Sequence, residues 1–348
     1  MTGLTQVITA TLWGLCVGLS FHGWGGMVRR MAWPSRAAPD WGLQAGWGMA
    51  FAAVVGGAAN LLNLAVTPAV IGFVAIGAMI ALWSGRRAWE WLGLTEAIPV
   101  LFIAILLVLH MAARTRGLPL DCSDDGVAYF GFIRRQLELG SVMEPFSLRR
   151  LGGMGGQIFL QSLVVSLGTM DAAYILDRAL APLLIYGLLR GMQPRGPIAF
   201  TLLAAVVGLA LPIQEFNSQA FCSAIVLLLT LVRTLDWVGG SCKTASAVVI
   251  GMVVAGAISL RAHYLVAAAL PVMIWAGTGM PDTHTIARLR TLAAIGLVTI
   301  TLLLPWMMEM WLSSGIESPS TFLPTAGLPI MLGCFSYPGS RSRIVSWP

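Results

Sequence analysis

Long apolar runs separated by short basic turns organise this chain, and one internal stretch interrupts them with charge. Each run holds about the 20 apolar residues that carry a helix across a bilayer. The runs are continuous rather than alternating, which speaks against a β-barrel and for helices that satisfy their own backbone groups. The pattern predicts an all-α, polytopic transmembrane helical bundle of about ten spans. Four of them occupy residues 4–113. The first, near 4–28, closes at Arg29, Arg30 and Arg36; the second lies near 41–64. A turn at Thr67 and Pro68 leads to the third, closed by Arg86 and Arg87, and the fourth lies near 97–113. About six further spans fill 172–312 on the same length rule. They begin near 172–189 and 197–212 and end near 291–312, with Arg190, Arg195, Arg233, Lys243, Arg288 and Arg290 in alternate turns. Residues 313–348 are rich in Ser, Pro and Gly without a period, and read as an irregular tail, truncated or altered. No boundary separates a soluble domain, so 1–348 reads as a single integral membrane domain.

Basic residues mark the cytoplasmic turns of a membrane protein. That rule puts the N-terminus outside and makes 114–168 an external loop. The first apolar run has no basic start, so it reads as a retained span rather than a signal peptide. One feature pulls the other way. The loop holds Arg114, Arg116, Arg134, Arg135, Arg149 and Arg150, which the rule would draw to the cytoplasm. Within it, residues 127–139 are amphipathic: Tyr129, Phe132, Ile133 and Leu137 share one face, and Arg134, Arg135 and Glu138 lean to the other. This predicts an interfacial helix lying on the bilayer. Glycines at Gly152, Gly153, Gly155 and Gly156 then precede an apolar stretch, 157–167, too short to span, which predicts a second surface or re-entrant helix.

Composition narrows the function classes. Hydrophobic residues are 57% of the 348, charged residues 10%, and the mean hydropathy is +0.82. A soluble domain carries about 25% charged residues, and this chain has too few to cover its apolar surface. The net charge of +6 is spread over many turns with no basic run interleaved with aromatics, so no nucleic-acid partner is expected. Cys16, Cys122, Cys222, Cys242 and Cys334 stand far apart, giving neither a zinc pattern nor a redox pair.

The chemistry concentrates at Asp121, Asp124 and Asp125, just past the fourth span. At the start of a helix Asp121 and Asp125 would share a face at i and i+4. Carboxylate oxygens suit a divalent metal, Mg or Mn, which makes Asp121 and Asp125 the candidate ligands. Asp124 or Asp125 can also act as a general base toward a hydroxyl, and these two are the candidate catalytic residues. The plainer alternative is a helix N-terminus, with Ser123 or Asp124 as cap and the acids meeting the macrodipole. Arg149 and Arg150 stand before the glycines and offer planar forks for phosphate, or simple anchoring to headgroups. Arg261 and Tyr264, with His263 between them, sit at the outer end of a span and complete the candidate substrate-binding set; snorkelling to the interface is the alternative for Arg261. Asp177 and Arg178 lie inside a span, where they mark either an ion pathway or polar glue between helices. Glu309 is a speculative further carboxylate between Trp306 and Trp311, which read as an aromatic belt. The glycine cluster is no P-loop, since no Lys-Ser or Lys-Thr follows it.

The run DDGVAYFGFIRRQLELGSVMEPFSLRRLGGMGGQIFLQSL resembles bacterial polytopic membrane proteins related to the glycosyltransferase C superfamily. The resemblance is local, over about 121–163, and rests on an acidic motif followed by amphipathic surface helices. It implies a multi-pass protein of the bacterial cytoplasmic (inner) membrane, working in the cell envelope. It further implies a polyprenyl-linked sugar donor, an acceptor of unknown identity at the external face, and Asp124 and Asp125 in the acidic-motif role. Arg261 matches a phosphate-binding arginine only weakly. Two departures stand out: the motif follows about the fourth span instead of the first, and the chain is short for this group. Two other readings remain open, a transporter or flippase using Asp177 and Arg178, and a non-catalytic membrane subunit.

Cys122 adjoins the acidic motif and reports its side of the membrane. With Cys16, Cys222, Cys242 and Cys334 changed to Ser, Cys122 is expected to react with a membrane-impermeant thiol reagent in intact cells. Labelling only after lysis would place the motif in the cytoplasm and remove both the topology and the transferase reading.

Overall fold

A computed structural model describes residues 3–36, 39–88, 94–115, 129–142, 153–192, 220–239, 244–279 and 285–314. Every regular element among them is helical. These are α1 (Gly3–Ala32), α2 (Trp41–Leu61), α3 (Thr67–Ala88), α4 (Leu94–Thr115), α5 (Gly131–Leu139) and α6 (Gly156–Val165). A composite helix, Met170–Met192, follows; it contains α7 (Ala173–Ile175), a π-helical turn (Leu176–Leu180) and α8 (Ala181–Met192). The last four are α9 (Cys222–Val238), α10 (Thr244–Leu260), α11 (Tyr264–Thr278) and α12 (Thr285–Ser314). Three helices are long and apolar enough to cross a membrane: Gly3–Ala32, Met170–Met192 and Thr285–Ser313. Together with the composition this points to an integral membrane protein.

The bundle is built around α2, which buries 15 of its 21 residues. Its sequence explains the position. Helices in lipid gain little from the hydrophobic effect on meeting one another, so they associate where small residues let backbones come close. α2 carries such residues on all sides. A Cβ built on Gly48 would run into the carbonyl oxygen of Phe21 in α1, and one on Gly42 into the backbone at Gly187 and Leu188 of α8. Gly46 faces Thr230 of α9, Ala50 meets Gly256 of α10, Gly56 meets the Phe159 ring of α6, and Gly57 meets the Trp306 indole of α12. α3 packs against α1 instead, through Gly23 and Gly77, with the Trp24 indole donating to the Phe73 carbonyl at 3.2 Å.

Polar ties fix the two ends of the bundle. At one end Asp40 accepts from the Leu43 amide at 3.1 Å, which caps α2, and takes a 2.6 Å ion pair from Arg233 of α9. Arg233 also donates to the Leu188 carbonyl, and the Trp47 indole donates to Thr234 at 2.8 Å. The Arg36 guanidinium lies 4.1 Å from the Trp237 ring centroid, and Trp275 donates to the Gly239 carbonyl. Arg29, Arg30 and Arg190 close their helices at this end, and Arg288 reaches the Gly277 carbonyl beside them. At the other end the Ala65 amide donates to Gly140, Thr67 donates to the Leu137 carbonyl, and Tyr264 donates to Ala220 at 2.6 Å.

Three expectations change against these contacts. The helix expected to lie on the bilayer, α5, has the anticipated two faces, but Phe132, Ile133 and Leu137 are buried against protein, beside α6. Its polar face carries the exposed Arg134–Glu138 pair. α6 is no surface helix either, because all ten of its residues are buried. Trp306 is fully buried, donating to the Ala53 carbonyl at 3.0 Å, so it belongs to the core rather than to an aromatic belt. The count of about ten spans goes beyond the three helices identified above.

The packing argument makes a paired test. Gly48→Ala forces α1 and α2 apart and is expected to cost about 1–3 kcal/mol or more, as overpacking does. Gly72→Ala, with nothing near the added carbon, is expected to be neutral or to stabilise by about 0.5–1 kcal/mol from helix propensity. Thermal unfolding of the two variants in detergent checks the contrast.

Candidate functional site

Of the expected site residues, Arg261 and Tyr264 stand at the end of the bundle away from Arg29, Arg190 and Arg233. Asp121, Asp124, Asp125, Arg149 and Arg150 lie outside the described residues. Their flanks do not. The last turn of α4 shares a small recess with the start of α1 and with Thr169 and Asp171, through Ala112, Gln6 and Val7. Tyr129 accepts from Arg261 at 2.5 Å, and the neighbouring Phe130 ring stands edge-on to Tyr174 at 5.6 Å. Val142 donates its amide to Asn60, and Gly153 packs against the Leu260 carbonyl. Tyr129, Val142 and Gly153, which flank the segments outside the described residues, are thus each held by a contact at this end.

Arg261 owes its position to α10, which ends at Leu260, one residue before it. Its guanidinium is half-buried and meets Tyr129, four residues beyond Asp125 in sequence. Tyr264 opens α11 and spends its hydroxyl on the Ala220 carbonyl, so its visible role is to tie α11 to the start of α9. His263 lies between them and is exposed. Partial burial, and then the positive charge of Arg261, hold its imidazole below the ordinary histidine pKa.

Beneath this surface lies a polar layer that the sequence reading largely passed over. Asn60, Gln136, Ser141, Gln157, Gln161, Ser162 and Glu309 are all buried. Ser141 donates to Glu309 at 3.1 Å, and the next residue's amide donates to Asn60 at 3.1 Å. Gln136 donates to Ser162 at 2.8 Å. One short segment, 141–142, thus joins the far ends of α2 and α12. The sequence signal for Glu309 is a single acid among apolar residues. The signal for Gln157 and Gln161 is a pair of amides one helical turn apart in a mainly apolar stretch; Gln136 stands among Arg134, Arg135 and Glu138, where nothing marks it as buried.

Among the described residues no group of three His, Cys, Asp or Glu side chains comes together to hold a metal ion. The candidate ligands Asp121 and Asp125 fall outside them. Asp177 sits on the π turn and accepts from the Ser223 amide at 2.7 Å, the Ser223 hydroxyl at 2.8 Å and the Cys222 amide at 3.1 Å. It caps α9 from a neighbouring helix, which is glue of the kind expected for polar residues inside a span. No family model, curated protein or solved structure matches this chain.

His263 provides a probe of the site's charge. Its titration by NMR is expected below the ordinary histidine range, and Arg261→Gln is expected to raise it. A midpoint unmoved by the substitution would separate Arg261 from His263.

Proposed function

We propose that this protein is a membrane glycosyltransferase of the glycosyltransferase C type, moving a sugar from a polyprenyl-linked donor to an acceptor at the external face. The observation that carries this reading is the Arg261–Tyr129 bond at the bundle end away from the arginine cluster. It holds a phosphate-suited side chain against Tyr129, four residues beyond Asp125 in sequence. The topology proposed with it has about ten spans and puts the arginine-rich end in the cytoplasm. Met192 closes a helix at that end, while Ala220 is held by Tyr264 at the other, which supports a further crossing between them.

In this reading Asp124 or Asp125 accepts the proton of the acceptor hydroxyl. The freed oxygen attacks the anomeric carbon of the donor sugar, and the bond from that carbon to the phosphate oxygen breaks. Polyprenyl phosphate, or diphosphate, leaves with the electron pair. Arg149, Arg150 and Arg261 meet the charge that develops on it, where fixed cations stabilise the transition state most. Asp121 and Asp125 are the proposed ligands of a divalent cation, Mg or Mn. Surrounding membrane lipid would hold the donor's chain. The transporter reading loses its main support, because Asp177 is engaged by three bonds that cap α9.

Asp124→Asn and Asp125→Asn test the proposal in membranes supplied with a polyprenyl-linked sugar. Loss of the essential base is expected to slow release of the polyprenyl carrier about 10²–10⁴-fold, with insertion unchanged. Full release by both variants sinks the transferase reading.

A further inference from the structure

The N-terminal turn of α6 combines three features. Its cap position is Gly155, at φ 123°, and no side-chain hydrogen bond caps the helix. No side chain therefore meets the first amides of this ten-residue helix, where the positive end of its dipole lies. Second, Gln157 is only 4% exposed, and neither its amide nitrogen nor its amide oxygen meets a hydrogen-bond partner. A helical side chain tilts toward its helix N-terminus, which carries Gln157 toward those same amides. A buried amide left unsatisfied on both atoms is costly, and an apolar residue of the same volume would avoid that cost. Third, the turn is seated against the end of α10. Gly156 packs on Ser259 and Gly153 on the Leu260 carbonyl, and the next residue is the half-buried Arg261.

We propose that this turn is a binding site for a phosphate group whose ligand also carries a hydroxyl. The α6 amides and the Gln157 amide nitrogen donate to phosphate oxygens, as helix N-termini do. The Gln157 oxygen accepts from the hydroxyl, and Arg261 supplies the balancing charge at the mouth. Glycine at 153, 155 and 156 seats the turn closely against Leu260, Trp306 and Ser259. Gly155 itself cannot become alanine, since its φ is left-handed and an added carbon would strike the Trp306 ring. The site rests on its own geometry and does not require the acidic segment to be catalytic. Lipid headgroups and free phosphates share this chemistry.

The test uses the full-length protein in lipid nanodiscs, with inorganic phosphate, glycerol 3-phosphate and a short-chain polyprenyl phosphate as separate probes. Wild-type protein is expected to bind at least one of them. Gln157→Met should weaken that binding at least tenfold while the ligand-free protein melts at the same temperature or higher. If Gln157→Met does not fold, Gln157→Glu carries the test, since its carboxylate repels phosphate and should weaken binding at least as much. Preference for the polyprenyl probe assigns a lipid source, and preference for glycerol 3-phosphate a free one. No binding by wild type, or equal binding by the variants, overturns the site. So does a lower melting temperature for Gln157→Met with unchanged binding, which would mark Gln157 as structural. Binding that depends on Gln157, beside transfer indifferent to Asp124 and Asp125, would keep this site and remove the transferase.

Discussion

The close approach of six helices to the backbone of α2 is the constraint on which the rest of this structure depends. A helix that is apolar all round belongs in the middle of a bundle, but bulk decides how near its neighbours come. α2 places glycine or alanine wherever another helix crosses it, so α1, α6, α8, α9, α10 and α12 all meet it at backbone range. Many close dispersion contacts, each small, then sum to the stability that lipid does not supply. The polar ends depend on this geometry. Asp40 meets Arg233, and Asn60 meets Val142, because α2 is long enough to present one residue at each end of the bundle.

Much of the helical layout was legible from the sequence. The starts and stops of α1, α2 and α4 follow the apolar runs and their basic or polar punctuation closely, since both reflect length and polarity along the chain. What escaped the sequence depends on partners far away in it. Nothing in GQIFLQSLVV distinguishes a helix on the bilayer from one enclosed by α1, α2, α5 and α10. Trp306 has the setting of an interfacial tryptophan, yet Gly57 and Gly155 open a slot for it in the core. Glu309 and Ser141 are 168 residues apart, and only the fold makes them a pair.

The candidate site was legible in part. Arg261 and the acidic motif are residue types suited to phosphate and to proton transfer, and Arg261 bonds to Tyr129, four residues beyond Asp125 in sequence. Tyr264 was chosen for proximity in sequence, and its hydroxyl serves helix packing. The glycines before α6 are plain in the sequence, but their neighbours Ser259 and Leu260, and the unmet amide of Gln157, appear only in three dimensions.

The Asp40–Arg233 pair has a consequence for how the protein is made. The two residues are 193 apart in the chain. At a synthesis rate of about 5–20 residues per second, Asp40 leaves the ribosome roughly 10–40 s before its partner exists. Through most of that interval α2 has only α1 of its close neighbours; α6 and α8 arrive late in it, and α10 and α12 follow after it. The central helix is therefore the one that waits longest for its neighbours, with a carboxylate exposed at one end and bare backbone along its flanks. The machinery that inserts the nascent chain must shelter α2 until the second half of the protein arrives.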